Sequence, residues 1–181
     1  SIEQKNTSKN PRSTVATVTE IYDYMRVLLA RIGIPYSPFT GKPIRSQPIS
    51  EMVDKIKKLP KNNTIYLLSP IVRGRKGEYK KEILNYKKRG FSKIKVDGKY
   101  LNIDEFPNLN KKIKHDISIV VDRIILNSNL GNRLADSVET CINLSDGLLI
   151  VEYENETLPK KYRKKESITF SSKFSCPESG F

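Results

Sequence analysis

The 181-residue sequence contains no tryptophan, one histidine and two cysteines. Without tryptophan it lacks one strong stacking platform for single-stranded nucleic acid, and histidine-dependent catalysis would have to use His115. Two cysteines are too few for a disulfide framework, which fits a reducing compartment. No apolar run reaches the roughly 18 residues of a membrane span, so the sequence predicts no such span.

The chain begins at a serine, and no segment near that end has the apolar core of a secretory signal. We therefore expect a cytoplasmic protein. The absence of a starting methionine, together with an opening that runs directly into a helical pattern, leads us to expect a piece from the interior of a larger protein.

Acidic residues are scarce relative to basic ones: 20 Asp and Glu stand against 33 Lys and Arg, giving a net charge of +13. This excess favours an anionic partner, which could be nucleic acid, an acidic protein face or an anionic membrane surface. The alternative is that the lysines keep the domain soluble. The 37% of hydrophobic residues suffices for one core, with or without a small satellite unit.

The N-terminal part of the sequence predicts one amphipathic helix followed by a linker. Ser13 or Thr14 provides a helix cap, and apolar residues then recur every three or four positions to about residue 32. Gly33 ends the helix, and Pro35 prevents its continuation. The prolines of residues 34–48 indicate a turn-rich linker and a domain boundary.

From residue 50 to the strand at 148–153 the patterns follow the order α-β-α-β-β-β-α-β. Asp97-Gly98 predicts a tight hairpin turn, and residues 115–126, which are apolar on both faces, predict a central strand. This order favours a mixed sheet with helices packed on it, and we assign the α+β class rather than α/β. The predicted elements are helices at 50–60, 78–89 and 129–144, and strands at 64–69, 91–96, 99–103, 115–126, 148–153 and 167–174.

The segment Arg73-Gly74-Arg75-Lys76-Gly77 is predicted to be a basic loop ahead of a helix. Backbone amides, cations and a helix N-terminus favour an anion, so this loop could hold a phosphate group. Its spacing is not that of a Walker A loop. The alternative is an exposed basic loop that binds nothing.

Two further segments contain residue types that take part in catalysis or metal binding. His115 next to Asp116 could act as a general base, but no nucleophile motif accompanies the pair, so a structural histidine at a strand edge is the alternative. Cys176 resembles the start of a zinc knuckle, which needs a second cysteine on the same turn. Ser179 occupies that position, so we do not expect zinc at Cys176.

Lys93 and Lys95 alternate with apolar residues on one predicted strand, so they should project outward together. Such a pair suits an acidic partner, although solvated lysines would look the same. Arg123 lies inside the apolar strand beside Asp122, where it would either pair internally or contact a partner.

Several segments together resemble the UvrA family, the damage-sensing ATPases of bacterial nucleotide excision repair. The resemblance spans the whole chain, and its most specific parts are the N-terminal stretch and Arg133-Leu134-Ala135-Asp136-Ser137. The matching segments are residues 1–5, 10–15, 17–24, 74–77, 121–123, 133–140, 174–177 and 180–181.

The resemblance implies a place within a larger ABC-type ATPase. Gln4 would belong to a Q-loop and sense magnesium and the γ-phosphate of ATP. Because the segment has no Walker A, Walker B or signature motif, we expect no enzymatic activity from it alone. The implied divisions are residues 1–33, the Q-loop and the start of a signature domain; 34–48, a linker; 49–166, an insert that docks UvrB; and 167–181, a return strand with a degenerate zinc-knuckle start.

The resemblance also implies which residues meet UvrB. Lys93 and Arg123 match basic positions that face acidic residues of that partner, although relatives often carry Arg at the first position and Lys cannot pair bidentately. Ser37 and Ser179 replace cysteines of many relatives, so zinc is not expected at either place. The further partner-binding candidates are Lys95, Arg73, Arg75 and Lys76.

The sequence is therefore compatible with two functions from different classes. The first is a protein-docking module, and the second is a non-specific nucleic-acid-binding basic domain, for which no base-reading motif is present. A free-standing enzyme is the least favoured reading. For the full-length protein, the resemblance implies ATP and magnesium, DNA as a further partner, a homodimer, and no membrane.

Overall fold

The computed structural model describes residues 21–34, 36, 41, 46–127, 130–154 and 165–173. The chain divides into two compact units, Ser1–Ile44 and Arg45–Phe181. The predicted cap at Ser13 or Thr14, most of the 34–48 linker, and most of the charged segment at 154–166 lie outside the described residues.

The first unit contains helix α1, Ile21–Ile32. The periodic pattern predicted this helix and its end at Gly33, whose backbone N–H donates to the Leu29 carbonyl at 2.8 Å. A side chain could not replace this glycine without movement, because a Cβ there would lie 2.4 Å from the Leu29 oxygen.

The second unit contains the sheet, and its α+β class is confirmed. Its strands lie in the order β3-β2-β4-β1-β5-β6, and every neighbouring pair is antiparallel. In chain order its elements are α2 (Ile49–Lys57), β1 (Thr64–Lys76), α3 (Lys80–Lys88), β2 (Lys93–Val96), β3 (Lys99–Asn102), a 3-10 turn (Ile103–Glu105), β4 (Lys114–Ile125), α4 (Arg133–Leu144), β5 (Leu148–Glu154) and β6 (Lys165–Ser171).

Most of these elements agree with the sequence patterns. The hairpin turn has left-handed backbone angles at both central residues, with φ of 46° at Asp97 and 85° at Gly98, as a tight turn between twisted strands requires. Strand β4 lies inside the sheet between β2 and β1, as its two apolar faces predicted.

One prediction about this unit was wrong. Residues 70–77 were expected to form a loop, but β1 continues through them to Lys76 and pairs with β4. Beyond Leu68, β1 no longer pairs with β5, so Pro70 sits where one edge of the strand is free, a position that tolerates a missing N–H. Register shifts on both sides of Val72 accommodate the irregular backbone.

The core consists of two apolar clusters. One lies between the sheet and helices α2 and α4 and contains Met52, Leu67, Leu134 and Phe170. The other surrounds Ile83 of α3 and includes Ile94 of the hairpin. The residues of both clusters lie on the side of the sheet that the helices cover. Polar residues of the strands lie on the other side.

Candidate functional site

The face of the sheet opposite α4 carries a cluster of polar and aromatic side chains. Tyr66 alternates with the core residues Ile65 and Leu67, so it projects from this face. Its register partners are Arg123 on β4 and Glu152 on β5, which therefore project with it.

The sheet curls so strongly that distant strands meet on this face. Strands β3 and β5 are four places apart in the sheet, which a flat sheet would separate by about 19 Å at the usual strand spacing. Instead, the Tyr100 hydroxyl of β3 donates to Oε2 of Glu152 on β5 at 2.7 Å. Even the two edge strands approach each other, because Lys165 of β6 lies 4.9 Å from the Tyr100 ring centroid.

An open cavity with a volume of about 270 Å³ lies on the concave side of the curled sheet. We call the residues that line this cavity the concave surface. It consists of Thr64, Tyr66, Lys93, Tyr100, Arg123, Glu152, Tyr153, Glu154 and Lys165.

The structure brings Lys93 and Arg123 together on the concave surface. Both side chains are exposed, and neither makes an ion pair with a described residue. The Arg123 guanidinium lies 5.8 Å from the Tyr66 ring centroid, a favourable cation–π distance. Both cations are therefore available to an acidic partner.

Asp122 does not neutralise Arg123. Its carboxylate accepts hydrogen bonds from Nε and Nη2 of Arg133 at 3.0 and 2.8 Å, and from Ser137 at 2.8 Å. The bonds from Arg133 and Ser137 lower the pKa of Asp122 despite its partial burial. Of the two alternatives left open for Arg123, internal pairing is not observed, because its guanidinium makes no ion pair with any residue that the structure describes.

Lys95 was expected to project outward with Lys93, but its side chain is largely buried and paired within the fold. Its side chain is 21% exposed and forms an ion pair with Glu152. The ammonium group also lies 5.6 Å from the Tyr100 ring. The charge of Lys95 is thus already satisfied within the fold.

Among the residues of this surface that sequence reasoning missed, Tyr66, Tyr100 and Glu152 form the contacts across it. The rings of the two tyrosines are 5.1 Å apart. Burial, together with the Glu152 carboxylate, raises the pKa of Tyr100, so its phenol remains a donor. One signal was present in the sequence, since Glu152 interrupts the otherwise apolar run of residues 148–153.

Arg73 and Arg75 lie on a different depression, with a volume of about 820 Å³, that also includes Asp116, Asp146 and Lys173. The charges there are mixed. Lys76 is exposed at the end of β1, and its carbonyl accepts a hydrogen bond from the Tyr79 hydroxyl at 3.0 Å. The six partner-binding candidates therefore fall into separate groups, of which Lys93 and Arg123 share one surface.

The segment around Gly74 does not fit a phosphate group. The Gly74 amide donates to Oδ1 of Asp116 at 2.7 Å, so the protein's own carboxylate occupies the donor that a phosphate would need. Because these residues form strand rather than a loop at a helix N-terminus, ATP phosphates are not held here, and no reaction step is assigned to this segment.

His115 contacts Asp97 and not its sequence neighbour Asp116. It is buried at 2% exposure, and its Nδ1 lies 2.8 Å from Oδ2 of Asp97, while its Nε2 lies 3.0 Å from the Asn110 carbonyl oxygen. Asp116 instead accepts the Gly74 amide, so the geometry favours the alternative of a structural histidine. The histidine joins the hairpin turn to the loop that precedes β4.

No cluster of three or more metal-ligating side chains occurs among the described residues. Cys141 is buried in the core, and burial raises the pKa of its thiol. Gln4, Ser37, Cys176 and Ser179 lie outside the described residues. Within the described ranges, no helix is both long and apolar enough to cross a membrane.

Comparison with known proteins gives a consistent result. The sequence model of one family, described as the UvrA interaction domain, matches residues 47–155. The chain is 57% identical over 182 residues to UvrABC system protein A of Rickettsia typhi and 60% identical over 182 residues to that of Rickettsia bellii, covering 99% of the chain in both cases. It is 54% identical over 193 residues to that of Brucella abortus, covering the whole chain. The chain spans about a fifth of the length of these relatives, 19 to 20%.

Proposed function

The chain belongs to the UvrA family, and on that basis we propose that residues 49–166 form a module that docks UvrB during nucleotide excision repair. The concave surface provides the contact, and Lys93 and Arg123 are its principal cations. The partner presents an acidic protein surface to them.

One observation carries this proposal: Lys93 and Arg123 are both exposed on the lining of one cavity, without an ion pair to any described residue. Cations that the fold leaves without an ion pair can bind carboxylates of a partner. Charge complementarity of this kind accelerates association and selects the partner.

The remaining assignments concern the full-length protein. In it, Gln4 would sense ATP and magnesium, a second copy would form the homodimer, DNA would bind elsewhere, and the complex would work in the cytoplasm. The segment itself contributes binding rather than chemistry. Nothing in the geometry of His115 or the Arg73–Lys76 strand assigns it a reaction.

The proposal is tested by reversing both charges, Lys93→Glu with Arg123→Glu, and titrating the chain with purified UvrB in a calorimeter. We expect at least about a 100-fold loss of affinity, because attraction at two positions becomes repulsion. The matched control is Lys57→Glu with Lys61→Glu, which makes the same change in net charge on exposed residues beside α2. Equal weakening by both double variants would contradict a specific surface.

A non-specific nucleic-acid-binding domain is the second candidate, favoured by the net charge of +13. Exposed cations also meet at one end of the sheet, where Lys76 pairs in register with Lys114 beside Arg75. A gel-shift titration at about 150 mM salt distinguishes the candidates. If Arg75→Glu with Lys76→Glu abolishes DNA binding and leaves UvrB binding intact, the two functions use separate surfaces.

A further inference from the structure

Glu152 is an acid placed among the cations of the concave surface. Its side chain is 11% exposed, and it lies between the core residues Val151 and Tyr153 on β5. Burying a carboxylate costs free energy unless it is paired and hydrogen-bonded. Its bonds therefore indicate what it does for the fold.

The two carboxylate oxygens of Glu152 bind two different strands. Oε1 accepts the ammonium group of Lys95 on β2, and Oε2 accepts the Tyr100 hydroxyl of β3 at 2.7 Å. Both partners belong to the β2–β3 hairpin, which lies on the other side of β4 and β1 in the sheet. Glu152 thus connects β5 to the β2–β3 hairpin on the concave side of the curled sheet.

The residues that Glu152 binds are close to both of the proposed docking cations, Lys93 and Arg123. The Tyr100 ring packs 5.1 Å from that of Tyr66, over which Arg123 lies. Lys93 is two residues before Lys95, so it projects from the same side of the short strand β2. Strand β2 pairs with β4 only through Ile94–Val96, and Lys93 lies outside these pairs. A shift of the hairpin at this end would therefore change the separation between Lys93 on β2 and Arg123 on β4.

We propose that Glu152 is a positioning residue for docking: by binding Lys95 and Tyr100 it fixes the hairpin, and with it the spacing of Lys93 and Arg123. This inference rests on the proposed function. It also assigns Lys95 to the internal tie rather than to the partner, although the sequence placed it among the contact residues.

Charge alone predicts the opposite effect from positioning. Glu152→Gln removes one negative charge from a surface that attracts an acidic partner, so simple attraction would make binding tighter. If Glu152 positions the cations, the same substitution makes binding weaker, because the amide cannot hold the Lys95 ammonium in an ion pair. The sign of the change therefore separates the two explanations.

The experiment measures UvrB affinity by calorimetric titration for Glu152→Gln and for the matched control Glu154→Gln. Glu154 lines the same cavity and is exposed, and its carboxylate makes no hydrogen bond or ion pair with a described residue. We expect about a tenfold loss of affinity for Glu152→Gln, because the hairpin is held less firmly while Lys93 and Arg123 keep their charges. We expect tighter binding for Glu154→Gln, because it removes a negative charge from the same lining without breaking a bond to the hairpin.

A second variant separates positioning from a general loss of stability. Tyr100→Phe removes the hydroxyl that binds Glu152 and keeps the ring against Tyr66 and Lys165. Because both substitutions weaken the same connection between β5 and the hairpin, their losses of UvrB affinity should be less than additive in the double variant. Independent, additive losses would overturn the proposal.

The remaining outcomes are also decisive. Glu152→Gln binding as tightly as Glu154→Gln would overturn the positioning role while leaving the docking function intact, provided that the Lys93/Arg123 reversal still abolishes binding. Normal binding by that reversal would instead refute the docking function itself. If Glu152→Gln does not fold, Tyr100→Phe decides: weaker binding at an unchanged unfolding midpoint supports the proposal, and normal binding overturns it.

Discussion

At the scale of single residues, His115 illustrates how a buried group is held in one protonation state. Both of its ring nitrogens face acceptors, the Asp97 carboxylate and the Asn110 carbonyl, so a ring that carries both N–H groups satisfies both. The hydrogen bond to Asp97, followed by that to Asn110, raises the pKa of His115. Asp97 in turn also accepts the Asp116 amide at 2.9 Å.

The raised pKa makes stability depend on pH in a defined direction. The charged His115 contributes fully below its ordinary pKa of 6.5, and the contribution disappears as pH rises through the higher folded value. We expect wild type to exceed His115→Gln in unfolding free energy most at about pH 6 and least at about pH 9. Urea unfolding at both values measures the difference, and a gap that stays constant or widens with pH would contradict the account.

The sequence was most informative about residues whose role depends on their own charge and position. Lys93 and Arg123 were identified through the family resemblance, and both are exposed on one cavity. Tyr100 and Glu152 were missed because their bond joins strands four places apart in the sheet. Alternation within a strand gives the face of a residue but not which distant residue it meets.

At the scale of elements, helix α4 follows its hydrophobic period closely. The period predicts burial of Leu130, Leu134, Val138, Cys141 and Ile142; the last four are buried, whereas Leu130, which precedes the helix, is only partly buried. Helix α4 packs on β1, β4 and β5, so its apolar face closes the larger core cluster. The 3.6-residue period is local, which is why the sequence alone could give this face.

Truncating the apolar face of α4 should be costly. Leu134 is completely buried, so Leu134→Ala should lower the free energy of unfolding by about 2–5 kcal/mol through lost burial and a cavity. The same substitution at Leu84 of α3, which is 52% exposed, should cost less than about 1 kcal/mol. Chemical denaturation of both variants tests this, and similar costs at the two leucines would contradict the packing described.

Strand β1 is where local signals failed. Pro70 and Gly74 read as chain breakers, yet the segment pairs with β4 as far as Lys76. Non-local pairing outweighed local preference because the register shifts and a free edge absorb the irregular residues. The predicted phosphate-binding loop is therefore absent: the segment is a paired strand, and the Gly74 amide donates to Asp116 and not to a ligand.

At the scale of the whole molecule, the composition favours an anionic partner. The topology of the sheet determines which charged residues share one surface. The net charge of +13 favours an acidic partner in general, but the curl of the sheet determines which cations stand together. It separates Lys93 and Arg123 from Arg73 and Arg75, although all lie in the same unit. The order of the elements predicted a sheet with helices, whereas the curl depends on long-range contacts that no local pattern encodes.

The most direct test of the central claim is to map the contact itself by nuclear magnetic resonance. Amide spectra of the isotopically labelled chain would be recorded while unlabelled UvrB is added. We predict that signal loss concentrates around the concave surface, at Lys93, Tyr100, Arg123 and Glu152, and spares α2. Signal loss centred on the Arg73 and Arg75 depression, with the concave surface unchanged, would contradict the account.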